Sequence, residues 1–218
     1  QTSILRAFDV FIKEPTSQIF HQQHRNIILC QFDEITKIKQ RTEEPVFVFM
    51  HVITPHEPFV FGPNGEEVDY KYTLGPNVVT PFGPTSKFGL TTSEEIKAYR
   101  DQVIYVTKIL QQTIDELLEN SDNPPIIIIQ SDTGPVVSFS GITKEESDIG
   151  RLSILNAYYF PNKEYNLLYN DVTPVNSFRI VFDSYFETDY GLLEDKIFFL
   201  VHMTNRTLIK INELLILI

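Results

Sequence analysis

The sequence has few of the residues that would tie it to one compartment or to nucleic acid. Cys30 is its only cysteine, so no internal disulfide is possible. Cysteine usage therefore does not separate the cytoplasm from a cell exterior that does without disulfides. Basic residues are also few, 18 against 29 acidic ones, which gives a formal net charge of -11. A general nucleic-acid binder needs a basic face, so we expect no nucleic acid among the partners.

Long apolar runs are missing as well. No stretch approaches the roughly 20 residues that a membrane-spanning helix needs, and none has the layout of a signal peptide. The chain begins at Gln1 without a starting methionine, and we expect a fragment or a processed product. With 218 residues and a hydrophobic fraction of 42%, it is long enough for one sizeable globular core.

What the chain does contain is an alternation of helical and extended patterns. We expect a single domain over residues 1–218, with a helical segment at 1–40, an α/β core at 46–203 and a tail at 204–218. The tail is too short to span a membrane and is interpreted as an amphipathic helix or an added strand. Apolar residues recurring every three or four positions from Thr92 onward predict one long helix.

Strand-like runs lie on both sides of that long helix. Residues 46–54, "VFVFMHVIT", are apolar on both faces, as in a buried parallel strand. Residues 126–129 are four isoleucines. A helix between two such strands predicts a βαβ unit with a right-handed crossover. The proline- and glycine-rich stretch that follows Phe61 is a long loop, which either covers a site or is a plain surface excursion.

Three further segments follow the isoleucine run. Residues 136–150 are polar and acidic and are interpreted as a loop. Residues 152–160 predict another strand. Thr173 as a cap and Pro174 at the first position then predict a helix start.

Polar side chains follow both predicted strands where each strand ends. Asp132 comes after the isoleucine run, and His51 and His56 lie at the end of the 46–54 run. Ligands in open α/β sheets bind beyond the carboxyl ends of strands, so we expect the three side chains at one edge. Aspartate and histidine are ordinary ligands of zinc and manganese. The alternatives are a turn aspartate that caps its own backbone and a buried, hydrogen-bonded histidine.

A second histidine pair lies on the N-terminal helical segment. His21 and His24 are three residues apart, a spacing that places two side chains on one helix face. A metal pair is possible there, and a solvated helix face is the preferred interpretation.

Five stretches in this order closely resemble the sulfatase-like hydrolase/transferase domains of bacterial and archaeal membrane proteins, within the alkaline phosphatase superfamily. Lipoteichoic acid synthases and sulfatases are relatives. The resemblance implies an alkaline-phosphatase-like three-layer α/β/α sandwich with a mainly parallel sheet, incomplete here at its N-terminus. The stretches are "VFVFMHVITPHEPFVFGPNGE", "YRDQVIYVTKILQQTIDELLE", "PPIIIIQSDTGP", "RLSILNAYYFP" and "TPVNSFRIVFDSYF".

The resemblance also implies a chemistry. It points to metal-assisted transfer or hydrolysis of phosphate or sulfate esters, lipid- or glycan-linked in some relatives, with zinc, manganese or calcium as the divalent metal. It further implies an extracytoplasmic domain of a membrane protein, whose membrane segments lie outside this chain.

Family roles carry over to few positions. Asp132 matches the metal-ligand aspartate of the Ser-Asp-His-Gly motif, and Thr133 stands where that motif has histidine. His56, in "PHEPF", matches a histidine that approaches the anionic group of the substrate, and His51 precedes it. No residue in a fitting context matches the family's threonine or serine nucleophile.

Two hypotheses follow. The chain is either a metal-assisted hydrolase or transferase, or a degenerate binding or structural module that has kept the fold. A threonine hydroxyl is a poor replacement for a histidine ligand, and losing a ligand weakens metal affinity. Thr133 and the missing nucleophile favour the degenerate module, while "PHEPF" and "QSD" favour an enzyme ancestry.

Overall fold

The computed structural model describes residues 16–42, 44–68, 92–135, 143–202 and 207–211. The chain divides into two compact units, Gln1–Asp122 and Asn123–Ile218. Each unit has its own cluster of buried apolar side chains.

Two helices frame the first unit. Helix α1 covers Thr16–Thr36 and is followed by a short 3-10 turn at Ile38–Gln40, and helix α2 covers Thr92–Glu119. Both helices were predicted from the sequence, and the described residues confirm them. The two helices contact each other. The core between them and the chain segment that follows α1 is formed by Ile28, Phe32, Val60, Phe61 and Ile109.

The predicted strand at 46–54 is not formed. These residues have no regular secondary structure, and the side chains of Phe47 and Phe49 are 76% and 81% exposed. The only bridge described in this unit is an isolated one between Phe61 and Glu67. An apolar pattern indicates what a strand would bury, but a strand also needs a neighbour for its backbone groups. The predicted βαβ crossover is therefore absent from the described residues.

The second unit mixes short strands with helices. The strands pair two by two and both pairs are antiparallel, with Ile127 opposite Tyr159 in β1–β2 and Ile197 opposite Ile211 in β3–β4. Strand β4 lies in the C-terminal tail, so the added-strand interpretation holds for residues 207–211. The elements are β1 Ile127–Gln130, α3 Lys144–Leu152, β2 Asn156–Tyr159, α4 Pro174–Tyr185, β3 Ile197–His202 and β4 Thr207–Ile211.

Two expectations for this unit need correction. The segment predicted as a polar loop contains helix α3 at its end. Thr143 caps α3 in a capping box with Glu146. The sequence pattern did not predict this helix because it is only nine residues long and most of them are polar. The described strands pair antiparallel, whereas a mainly parallel sheet was expected. The α/β class itself stands.

Helix α4 organises the core of this unit. Ile180 and Val181 pack with Phe160, which is fully buried beside the end of β2. Pro174 occupies the first turn as predicted. Thr173 makes no side-chain cap, because its hydroxyl donates to the carboxylate of Asp195 instead.

Candidate functional site: the histidine segment and the Asp132 turn

The segment that carries His51 and His56 is held by side chains of helix α1. Gln31 Nε2 donates to the carbonyl oxygen of His51 at 2.8 Å, and Arg25 Nη1 donates to the carbonyl oxygen of Val60 at 2.9 Å. The guanidinium of Arg25 also lies over the ring of Phe61, 4.5 Å from its centroid. These contacts replace the ladder hydrogen bonds that a strand would have supplied.

Helix α2 holds the same segment through one buried glutamine. Gln102 is fully buried, and its Oε1 accepts from the backbone N–H of Val60 at 2.7 Å. Its Nε2 donates to the carbonyl oxygens of Pro55 and His56 at 3.2 and 3.1 Å. Sequence reasoning missed this residue. The signal was its spacing, four after Ala98 and seven before Ile109, both of which are buried.

His56 is presented to solvent by this scaffold. Its side chain is 61% exposed, and Nδ1 lies 2.7 Å from the carbonyl oxygen of Glu57. A carbonyl oxygen only accepts, so Nδ1 carries the proton in the neutral ring and Nε2 carries the lone pair. The Oε2 atom of Glu57 lies 3.9 Å from Nε2.

His51 does not match the alternative of a buried histidine. It is exposed, and its ring lies 6.5 Å from the ring of Phe49, measured between centroids. Its described hydrogen bond uses the backbone carbonyl and not the imidazole.

His24 is partly buried and does not lie on a solvated helix face. A hydrogen bond joins its ring to the backbone of Ile53. Burial lowers the pKa of His24, the nearby His56 lowers it further, and the Ile53 carbonyl opposes both effects. Nε2 is fully buried and no described residue hydrogen-bonds to it, so Nδ1 makes the bond to Ile53. The solvated-face interpretation is therefore wrong for this histidine.

The turn after strand β1 carries Asp132. Its Oδ1 accepts from the backbone N–H of Thr133 at 2.9 Å, and both residues are exposed. This is the bond that the turn-aspartate alternative requires. The turn is anchored by Ser131, whose N–H donates to the carbonyl oxygen of Leu155 and whose Oγ accepts from the Leu155 N–H.

Gly134 closes the turn because no larger residue fits. A Cβ there would lie 2.0 Å from the carbonyl oxygen of Gly150 and 2.5 Å from that of Ser153. Both contacts are with backbone, which cannot swing away. The close approach of the turn to the end of α3 therefore fixes where the backbone of Asp132 lies.

The donor set at Asp132 does not fit a divalent metal. Its neighbour Thr133 offers a neutral hydroxyl, and within the described ranges no three His, Cys, Asp or Glu residues are grouped closely enough to hold a metal. Asp132 belongs to the second unit, whereas His51 and His56 belong to the first. The prediction that the three share one sheet edge stays a prediction.

An open apolar cleft of about 320 Å³ runs along α4. The guanidinium of Arg179 donates to the carbonyl oxygens of Tyr190 and Gly191 at 3.0 and 3.1 Å, so this cation is already engaged. The cleft is lined by Pro174, Val175, Phe178, Arg179, Phe182 and Tyr190.

Comparison with known proteins identifies a family. A family model described as Sulfatase matches residues 6–179, which is most of the chain. No curated protein and no solved structure matches it. Among the helices that the structure describes, none is long and apolar enough to cross a membrane.

Proposed function

The chain belongs to the sulfatase family, and we propose that it binds the anionic group of a sulfate or phosphate ester through His56 without turning the ester over. Members of this family are generally metal-dependent and act on sulfate esters. In this proposal the chain still recognises the ester as the family does, but it does not carry out the metal-assisted step.

The observation that carries the proposal is the Asp132–Thr133 turn. The family's adjacent histidine would give a neutral nitrogen donor, and Thr133 cannot replace it at neutral pH. The Oδ1 atom of Asp132 is engaged by the next backbone N–H. One oxygen of this carboxylate is already hydrogen-bonded, and no second ligand stands beside it. Binding a metal would cost the carboxylate its hydration, and the few metal–ligand bonds formed would not offset that cost.

His56 supplies the recognition. Its imidazole is exposed, and its backbone is fixed by Gln102 from α2. A protonated imidazole donates a charge-assisted hydrogen bond to an oxyanion. On a chain with net charge -11 such a local cation is needed to attract an anion. His51, five residues earlier, is exposed and is the second residue assigned to the substrate.

The finer features of the family belong to the same proposal. They are the three-layer α/β/α sandwich, a lipid- or glycan-linked ester as the physiological ligand, and an extracytoplasmic location. The resemblance of the five ordered sequence blocks and the family match support them.

The proposal is tested by titrating the full chain with sulfate and with phosphate while recording histidine side-chain NMR signals. We expect weak, saturable binding that shifts the His56 signal and is lost in His56→Ala. His21→Ala, which removes a histidine outside the site, is the matched control and should bind as the unmodified chain does. Binding that survives in His56→Ala, or no binding at all, contradicts the proposal.

The second candidate is an active metal-assisted hydrolase, and the family match favours it. It would require a nucleophile or an activated water that the described residues do not reveal. Turnover assays separate it from the first candidate, because only an enzyme consumes the ester.

A further inference from the structure

Residues 51–54 are held on helix α1 by two side chains. Gln31 Nε2 donates to the carbonyl oxygen of His51 at 2.8 Å, and Nδ1 of His24 bonds to the backbone of Ile53. Of these two side chains, only the imidazole is of a type that changes its charge between about pH 5 and pH 8. The contact of α1 with these four residues therefore includes one group that acid can alter.

The residues that follow are held by groups that keep their charge in this range. Gln102 of α2 accepts from the N–H of Val60 and donates to two carbonyl oxygens earlier in residues 55–60. Arg25 of α1 donates to the carbonyl oxygen of Val60, and a guanidinium does not lose its proton in proteins. Acid should thus act on residues 51–54 and leave residues 55–60 in place.

Two buried polar atoms at the α1 contact have no hydrogen-bond partner among the described residues. They are Nε2 of His24 and Oγ1 of Thr54, and Thr54 directly follows the residue that bonds to the ring. Buried polar atoms in folded proteins are nearly always hydrogen-bonded, because an unbonded one has lost its water without compensation. Both atoms therefore oppose the docking of residues 51–54, and both regain water when these residues leave the helix.

We propose that His24 is an acid-sensitive latch: a proton on its buried Nε2 releases residues 51–54 from helix α1 and so frees the backbone of His51. In the docked state Nδ1 already carries a proton, because the carbonyl oxygen of Ile53 only accepts. The second proton would then lie on a buried atom that has no acceptor. In the released state the same proton is hydrated.

The charged groups around His24 do not offset this cost. His56 is the described titratable group that acts on the ring, and it disfavours a second positive charge. Glu57 lies beside His56, with Oε2 3.9 Å from its Nε2. On α2 the buried carboxylate of Asp101 is paired with Lys97. Among the described residues, no carboxylate acts on the ring of His24.

Falling pH shifts the balance toward release. Burial and then His56 lower the pKa of His24 in the docked state, and the Ile53 carbonyl opposes both effects. The released ring titrates near about 6.5, as an imidazole in water does. Between these two pKa values only the released form takes up the proton, so its population rises as the pH falls below about 6.5. Because one proton is involved, the rise is at most about tenfold per pH unit, and it ends below the docked-state pKa.

The consequence for the ligand rests on the proposed function, whereas the release does not. His51 is the second residue assigned to the ester, and release removes the fixed position of its backbone. We expect sulfate binding at about pH 5.5 to be weaker in the unmodified chain than in a variant whose residue 24 does not titrate. Comparing the two proteins at one pH cancels the protonation of His56 itself.

The experiment records backbone and histidine-ring NMR signals of the full chain from about pH 8 to pH 5. In the unmodified chain the signals of residues 52–54 should move with the titration of the His24 ring, while the N–H signal of Val60 persists. His24→Asn keeps a donor near the Nδ1 position and does not titrate, so this coupled movement should be lost. His21→Asn, one turn earlier on the same helix, is the matched control and should behave as the unmodified chain does.

A second variant keeps the test decisive if His24→Asn does not fold. Thr54→Val has nearly the same shape and removes the unbonded Oγ1, so the released population should fall at every pH. Hydrogen exchange of the residue 54 amide, which donates to the carbonyl oxygen of Val52, measures that population. Unchanged or greater release in Thr54→Val would contradict the latch.

Three NMR results would overturn the inference. One is protonation of the His24 ring without movement of residues 52–54. Another is the same movement in His24→Asn, because a different group would then be the trigger. The third is loss of the Val60 N–H signal in the same titration, because the whole unit would then unfold.

The two proposals fail separately. Release of residues 52–54 in a chain that does not bind sulfate supports the latch and contradicts the proposed function. Sulfate binding through His56 in a chain whose residues 52–54 stay docked at about pH 5 overturns the latch and leaves the proposed function intact.

Discussion

At the scale of single residues, the proposed function depends on Thr133 and on the buried side chain of Gln102. By the resemblance, Thr133 stands where the family motif has a histidine ligand. It lies exposed beside Asp132, whose Oδ1 accepts from the backbone N–H of Thr133. Gln102 makes three hydrogen bonds to the backbone of the His56 segment. In the proposed function, Thr133 weakens metal binding and Gln102 positions the backbone of His56.

We predict that the chain as purified and dialysed contains well below one equivalent of zinc or manganese. Thr133→His should raise metal affinity by roughly tenfold or more, because it restores a nitrogen ligand next to Asp132. Elemental analysis and calorimetry measure both quantities. Thr133→Ala is the matched control and should not change the metal content. A stoichiometric metal in the unmodified, dialysed chain would show that Thr133 does not limit binding.

We predict that Gln102→Met lowers the free energy of unfolding by about 1–3 kcal/mol, because a methionine of similar size leaves the Val60 N–H and the Pro55 and His56 carbonyls without their partner. Chemical denaturation measures the loss. Gln111→Met, at an exposed position of the same helix, is the control and should have little effect. Equal stability of the two variants would remove Gln102 from its positioning role.

At the scale of elements, the helices with a long apolar repeat were predictable and the short polar one was not. Helix α2 has a periodic stripe over 28 residues, whereas α3 has nine residues, most of them polar. Its start is set by the Thr143–Glu146 capping box. In that box the N–H of Thr143 and then its hydroxyl lower the pKa of the Glu146 carboxyl.

We predict that the Glu146 carboxyl titrates below its ordinary range and that Thr143→Ala raises its pKa toward that range. A depressed carboxyl pKa contributes stability above the unfolded-state pKa, and this contribution is lost as the pH falls through the folded-state pKa. Helix α3 should therefore fray more at acidic pH than at neutral pH. Carboxyl NMR across a pH titration checks this. A Glu146 pKa equal in the two proteins would show that the Thr143 hydroxyl does not stabilise the carboxylate.

The absence of a strand at residues 46–54 shows what an apolar pattern does not specify. Residues 46–54 carry the apolar pattern of a buried strand, but Phe47 and Phe49 are largely exposed and no ladder forms. A pattern of side chains predicts a face to be buried and contains no information about which segment pairs with it. The isoleucine run did become β1, with an antiparallel partner that is distant in sequence.

The same limit separates the site residues that the sequence identified from those that it did not. His56 and Asp132 were identifiable because they follow apolar runs within recognisable motifs. His24 and Gln102 were not, because their importance comes from contacts with residues 29 and 46 positions away in the chain, Ile53 and His56. A histidine on a helix looks the same in the sequence whether it faces solvent or a neighbouring carbonyl.

At the scale of the whole molecule, the family match spans residues 6–179 and so includes residues of both compact units. The net charge of -11 makes anion binding depend on local positive charge, and added salt should weaken such binding. In the proposed function the exposed His56 side chain provides that local contact.

Turnover by the full chain is the most direct measurement. We predict no metal-dependent hydrolysis of aryl sulfate or aryl phosphate esters by residues 1–218, with or without added zinc or manganese. Thr133 offers no nitrogen ligand for a metal beside Asp132, and the sequence shows no nucleophile in a fitting context. Ester binding should persist and depend on His56. Steady, metal-dependent turnover that disappears in Asp132→Ala would contradict this and identify the chain as an active member of its family.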